Sequence, residues 1–313
     1  MKKTLVIIAA RGMGDLIYHL PLLRSLYESY KKKLIIISNK VNHSREIYKY
    51  ETFYEKIIYF DNTRLPPIKT MSSIINIKNL INQYSVDQLI LTASPRRLMA
   101  PVYLSNAKKK IIFGGGSFLF GKDKKYQNLT HAEKIMKYTD ELKLPVENRN
   151  FFLESGKLEK NYLKENNKTN IFITLDSHHD QNNWDINNYI KIISKIILHN
   201  VKIFINFSPT KLNFLEKIPE NISKSENVYF THNKSILEIM NIINSCDFVI
   251  GNETGPICLG ASLKKEVHAV YLPIHTKPES QIINNNSFYY NADKEDDKII
   301  IEKITNSILK KIL

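Results

Sequence analysis

The sequence predicts an α/β protein built from two doubly wound, Rossmann-like parallel-sheet domains that face each other across a cleft. Three observations lead there. Apolar, strand-like runs alternate with helical patterns of about 10–15 residues in both halves of the chain, the signature of βαβ units. Two glycine-bearing turns, Ala10-Arg11-Gly12-Met13-Gly14-Asp15 and Gly251-Asn252-Glu253-Thr254-Gly255-Pro256, each follow such a run and precede a helical pattern. A turn of that kind points backbone N–H groups and a helix N-terminus outward, ready for a phosphate or another anion. Finally, 313 residues suffice for two ordinary cores.

The elements follow in order. Residues 5–9 form a continuous apolar run, as in a parallel strand covered on both faces. Residues 15–30 carry Leu16, Ile17, Leu20, Leu23 and Leu26 at helical spacing, with Pro21 tolerated only near the first turn or at a kink. Further strands are expected at 34–38, 56–60, 88–92 and 110–113, with helices at 44–54, 74–84, 101–106 and 131–144. The polar, weakly patterned stretch 145–170 reads as a linker, giving domains 1–155 and 156–313. The second half predicts strands at 170–175, 202–206, 228–230, 248–250 and 267–271. Helices are expected at 186–199, 235–245, 256–263 and 296–313.

The formal charge is +14, from 45 Lys and Arg against 31 Asp and Glu. Such a balance favours anionic partners; lysine accumulated through codon bias and scattered over solvated faces is the competing reading. The lysine clusters have no interleaved aromatic residues, so nucleic acid is not an expected partner. Two cysteines, Cys246 and Cys258, make no disulfide framework and fit a reducing compartment. The apolar start is too short for a signal peptide before Arg11, and no run approaches the ~18 apolar residues of a membrane span.

Among the motifs, Asp15 has two readings: a base at the mouth of the cleft, or a carboxylate that caps its helix and complements the dipole. Residues 116–123 fall one residue short of a P-loop, and Asp123 stands where a magnesium-binding hydroxyl is needed, so this segment reads as a loop near the cleft. Nine histidines include His178 and His179 after a strand, without partners at metal-ligand spacing.

The segment Arg11-Gly12-Met13-Gly14-Asp15-Leu16-Ile17, continued by Leu20-Pro21-Leu22-Leu23-Arg24-Ser25-Leu26, resembles the opening turn and helix of glycosyltransferase family 9, the bacterial lipopolysaccharide heptosyltransferases. Cys246 to Leu263, with Gly251-Asn252-Glu253-Thr254-Gly255-Pro256 at its centre, is similar to that family's second motif. Thr130-His131-Ala132-Glu133 and Trp184 are weaker matches.

The resemblance implies a GT-B fold, with acceptor on the first domain and nucleotide sugar on the second. It implies an inverting, metal-independent glycosyltransferase that needs no cofactor beyond its donor. The donor would be ADP-heptose and the acceptor a glycolipid or oligosaccharide of the lipopolysaccharide core or another surface glycan. The enzyme would be cytoplasmic and peripheral on the anionic inner face of the cytoplasmic membrane. Asp15 becomes the general base, and Gly14, Glu253, Thr254, Gly255, Ser177, His178, Asn182, Lys211 and Cys258 the donor-binding set. Arg11, Lys122 and His131 become acceptor-binding residues. The chain departs from the family pattern at several of these. Glu253 replaces an Asp, Cys258 a His, Asn182 a phosphate-contacting Lys, and Lys211 falls near a ribose-binding Glu. Two positive charges are thereby lost beside the diphosphate, for which His178, His179 or Lys211 are the candidate substitutes. Two alternatives remain: the same fold using another nucleotide sugar, and a non-catalytic sugar-nucleotide-binding relative.

Overall fold

The computed structural model describes residues 3–9, 12–60, 67–93, 96–113, 126, 128–145, 149–159, 167–177, 183–272 and 283–313. The chain divides into two compact units, Met1–Phe151 and Phe152–Leu313.

In the first unit the strands are β1 (Thr4–Ile8), β2 (Leu34–Asn39), β3 (Tyr54–Phe60), β4 (Gln88–Leu91) and β5 (Lys109–Ile112). They form one parallel sheet in the order β3-β2-β1-β4-β5. The helices are α1 (Met13–Tyr30), α2 (Ser44–Ile47), α3 (Pro67–Asn82), α4 (Arg96–Tyr103) and α5 (His131–Glu141). All five residues of β1 are buried, which explains why the four after Thr4 are continuously apolar rather than alternating.

The second unit contributes β6 (Thr169–Thr174), α6 (Ile186–Ile196), β7 (Val201–Asn206), α7 (Phe214–Lys217), α8 (Glu220–Ser223) and β8 (Val228–Phe230). It continues with α9 (Ile236–Ser245), β9 (Phe248–Asn252), α10 (Gly255–Ser262), β10 (Glu266–Tyr271), β11 (Ser287–Asn291) and α11 (Asp297–Ile312). The sheet order is β11-β10-β9-β6-β7-β8, again all parallel. Counted within the unit this is 3-2-1-4-5-6, the winding of dinucleotide-binding folds. Its core joins Ile171, Ile173, Ile203, Ile205 and Ile250 of the sheet to Ile192, Ile193, Ile300 and Ile304 of α6 and α11.

Several expectations are corrected. The helix expected over 44–54 stops at Ile47, because the Phe53 carbonyl already accepts from Leu34 N–H at 2.8 Å, drawing the chain into the sheet. Helix α1 runs through Pro21 without ending, and Pro21 and the residues on both sides of it are buried, which outweighs the lost backbone bond. The helix expected from Pro101 starts instead at Arg96 and holds Pro101 inside it. Strand β11, rich in aromatic residues, is not among the expected strands. The stretch read as a linker is partly packed, with Phe151, Leu153 and Leu158 buried and Leu153 N–H bonded to the Ser262 carbonyl at 3.1 Å.

Candidate functional site

In an open parallel sheet, ligands bind outside the carboxyl ends of the strands where the winding order reverses. That point lies between β1 and β4 in the first unit and between β6 and β9 in the second. Each glycine-bearing turn leaves one of these strand ends and starts a helix, α1 or α10.

At the first switch point, Gly12 is the N-cap of α1. Asp15, half-buried in the first turn, accepts a hydrogen bond from Gly12 N–H through Oδ2 at 3.0 Å. A Cβ on residue 12 would come within 3.2 Å of that same oxygen, so glycine leaves the carboxylate its room. One turn on, His19 is fully buried, its Nδ1 2.6 Å from the Asp15 carbonyl and its Nε2 2.9 Å from Thr92 Oγ1 at the end of β4. His131, the first residue of α5, has its ring centroid 5.3 Å from that of His19 and 6.0 Å from that of Tyr18. Burial pushes His19 well down from the ordinary value, to about 3, and His131 adds to the effect. Burial, followed by Lys134, lowers His131 to about 4. Both imidazoles are neutral at physiological pH.

The second switch point is held tight by a glycine. A Cβ at Gly251 would lie 2.2 Å from Thr174 Cγ2 and 2.6 Å from its carbonyl oxygen, so only glycine lets β6 and β9 pair here. Next, buried Asn252 accepts from Trp184 N–H at 2.7 Å and donates to the Leu175 carbonyl at 3.3 Å, tying three segments together. Glu253 N–H is engaged with the Val270 carbonyl at 3.0 Å. Thr254 is the N-cap of α10, yet its side chain makes no cap bond; its hydroxyl turns back to the Asn252 carbonyl at 3.1 Å. The first-turn amides of a helix have no intrahelical partner, and Pro256 removes one of them.

Four of the longer helices differ. Thr130, Asp185, Ser235 and Asp296 each place a side-chain oxygen on the first-turn amides of α5, α6, α9 and α11. The two switch-point helices, α1 and α10, begin without a side-chain cap at the N-cap position. An anion is the natural complement to such an end.

Of the expected donor-side residues, Thr254, Gly255 and Glu253 lie together at the start of α10, half-buried, and Cys258 is buried one turn later. Ser177 and Lys211 are brought together at the ends of β6 and β7: Lys211 Nζ donates to the Ser177 carbonyl at 3.2 Å and lies 3.8 Å from Asp176 Oδ2. The Asp176 carboxylate also accepts from Ser208 N–H, so the Lys211 charge is offset locally. Gly14 is buried inside α1. Arg11, Lys122, His178, His179 and Asn182 lie outside the described residues. His19, Thr92, Asp176 and Asn252 were not singled out from the sequence. His19 is one helical turn from Asp15, a spacing that could have flagged it.

The charge is divided unevenly. Residues 1–151 hold 26 Lys and Arg against 12 Asp and Glu, and residues 152–313 hold 19 against 19. The whole excess of +14 therefore sits on the first unit, which even accumulation of lysine along the chain does not explain. Among the described residues no helix is long and apolar enough to cross a membrane, and no group of three or more His, Cys, Asp or Glu could hold a metal ion.

Two doubly wound parallel-sheet units of this kind make up the GT-B fold. The sequence profile of glycosyltransferase family 9 (heptosyltransferase) matches residues 122–303, and the chain belongs to that family. A family 9 glycosyl transferase from Veillonella parvula is similar in fold, with a TM-score of 0.77 at 15% identity over 100% of this chain and 90% of that one. Escherichia coli heptosyltransferase WaaC with ADP gives 0.72 at 14% identity, covering 99% and 100%. The E. coli ADP-heptose lps heptosyltransferase II gives 0.77 at 12%, covering 99% of each chain. No curated protein matches the sequence.

Proposed function

We propose that this enzyme transfers a heptose from ADP-heptose, with inversion and without a metal or other cofactor, to a lipopolysaccharide-core or other surface-glycan acceptor. The observation that carries the donor half is the uncapped start of α10 at a Rossmann-type switch point. Thr254 and Gly255 would meet the diphosphate there through backbone N–H groups, where hydrogen bonding and the helix dipole favour the charge that builds on the leaving group. Glu253, whose amide is engaged in the sheet, would act through its side chain, with Ser177 and Lys211 at the neighbouring strand ends. Asp15 would take the proton of the acceptor hydroxyl as it attacks the anomeric carbon.

The basic first unit suits an acceptor that carries phosphates or acidic sugars, with Arg11, Lys122 and His131 as its candidate contacts. The same charge suits peripheral attachment to the anionic inner face of the cytoplasmic membrane. Nucleic acid is not part of this reading.

The test is ADP release from ADP-heptose in the presence of a deacylated core oligosaccharide, with and without EDTA. Turnover insensitive to EDTA supports the proposal, and a strict requirement for Mn²⁺ or Mg²⁺ overturns the metal-free step. One observation favours a second reading: a cation, Lys211, stands near the place where the resemblance implies a ribose-binding carboxylate. Turnover with a UDP- or GDP-linked sugar in preference to ADP-heptose would establish that a different nucleotide is used.

A further inference from the structure

His19 is a polar side chain with no exposure to solvent, and burying an imidazole is costly unless both nitrogens are satisfied. Here both are, and the partners dictate the proton's place. The Asp15 carbonyl can only accept, so at 2.6 Å His19 Nδ1 must carry the hydrogen. A neutral ring then leaves Nε2 as an acceptor, facing the Thr92 hydroxyl at 2.9 Å; that hydroxyl's other acceptor, the Ile7 carbonyl, is farther away at 3.3 Å. Thr92 N–H is also bonded to the Ile7 carbonyl at 3.1 Å. One imidazole thus joins the base-bearing turn of α1 to the ends of both strands that flank the switch point. The titratable groups acting on it are His131, itself held neutral, and the Asp15 carboxylate, which favours a charged ring but is outweighed by burial.

We propose that His19, as its neutral Nδ1–H tautomer hydrogen-bonded to Thr92, is a positioning residue that fixes the first turn of α1 and with it the Asp15 carboxylate. The inference rests on Asp15 as the base. His19 cannot take a second role as proton acceptor from the substrate, because its one lone pair is occupied by Thr92 and the ring is enclosed. Its contribution is geometric, and a base displaced by a fraction of an ångström to an ångström loses one to two orders of magnitude.

The test uses the full chain. In ¹⁵N-histidine spectra one ring should show a protonated Nδ1 and an unprotonated Nε2 that persist from pH 8 to 5 and vanish in His19→Asn; a ring titrating near 6.5 in its place overturns the assignment. Thr92→Val removes the hydroxyl with little change of shape. With ADP-heptose and core oligosaccharide it should lower kcat about tenfold, with donor KM and ADP affinity within twofold of wild type. Thr92→Ser, which keeps the hydroxyl, should recover most of that rate. His19→Asn retains a donor for the Asp15 carbonyl and should give a similar loss, not additive with Thr92→Val. Wild-type kcat in Thr92→Val alongside an inactive Asp15→Asn overturns the positioning role while leaving the base in place. Wild-type kcat in Asp15→Asn removes the base reading itself, and this proposal with it.

Discussion

The first and second units present their switch points with opposite chemistry. Both are parallel sheets wound outward from a central pair of strands, and both send a glycine-bearing turn from a strand end into a helix. In the first, the turn carries a carboxylate, two neutral histidines stand behind it, and the whole body is strongly basic. In the second, the turn offers backbone at an uncapped helix end, and the body carries no net charge. The winding decides where a site can be. The few side chains at the strand ends decide which chemistry that site presents.

The largest expected effect separates the two roles. Asp15→Asn should lower turnover by ~10²-fold or more, the usual scale for a lost general base, with ADP affinity nearly unchanged because the proposed diphosphate contacts at α10 belong to the other unit. Equal losses in turnover and nucleotide affinity would break the division of labour, and turnover within a few-fold of wild type would return Asp15 to helix capping.

The next effect is structural and confined to the second unit. Gly251→Ala forces a Cβ to within 2.6 Å of the Thr174 carbonyl, so β6 and β9 must part where they frame the site. A cost of about 2–3 kcal/mol is expected. Trp184, the chain's single tryptophan, is buried in this unit, so its fluorescence reads the loss as a lower urea midpoint. An unchanged midpoint would mean that the strands do not approach this closely.

How much of this was legible beforehand depended on sequence distance. The two turns were readable because strand, glycine and helix follow one another directly along the chain. The same locality made Thr254, Gly255 and Asp15 candidates. His19 was missed because its meaning comes from Thr92, 73 positions away, and only the pairing of β1 with β4 brings the two together. The Asn252 carboxamide likewise acts on the Leu175 carbonyl across 77 positions. Lys211 was read as a potential charge for the diphosphate, but Asp176 and the Ser177 carbonyl already claim it. The helix expected over 44–54 failed for the same reason, since the bond from Leu34 to Phe53 is invisible to local periodicity.

Acid should separate the units in a third way. His19 and His131 are held below the ordinary 6.5, so as pH falls through about 6.5 the unfolded chain takes up protons that the folded unit refuses until about 4 at His131 and about 3 at His19. The first unit therefore keeps the histidines' contribution above about pH 7 and loses it as pH falls from about 6.5 to about 4 for His131 and about 3 for His19. In the second unit burial opposes ionisation of Glu266, yet hydrogen bonds from His268 and Lys311 hold it down to about 2. That contribution is present above about 4.5 and fades only as pH falls toward about 2. Urea melts at pH 7.5 and 5.0 should show the circular-dichroism transition moving more than the Trp184 transition. Parallel movement of both would show that the histidines do not set the first unit's acid limit.

The smallest effect compares two threonines at the same formal position. Thr130 caps α5: its hydroxyl accepts from Glu133 N–H at 3.2 Å, and Glu133 returns a bond to Thr130 N–H at 2.8 Å. Thr130→Ala should cost about 1 kcal/mol, and since His131 is the next residue, some frayed character should reach the ring packed against His19. Thr254 holds the equivalent place on α10 but bonds backward to Asn252, leaving the helix amides for another acceptor. Its removal should cost no more than about 0.5 kcal/mol, the worth of one half-exposed hydrogen bond. Backbone binding of ADP should persist in Thr254→Ala within a few-fold. The decisive quantity is the difference between the two variants in urea midpoint, each read in its own unit. A Thr254→Ala loss equal to that of Thr130→Ala would mean that its hydroxyl caps α10 in solution, and the uncapped helix end on which the proposed donor site rests would be gone.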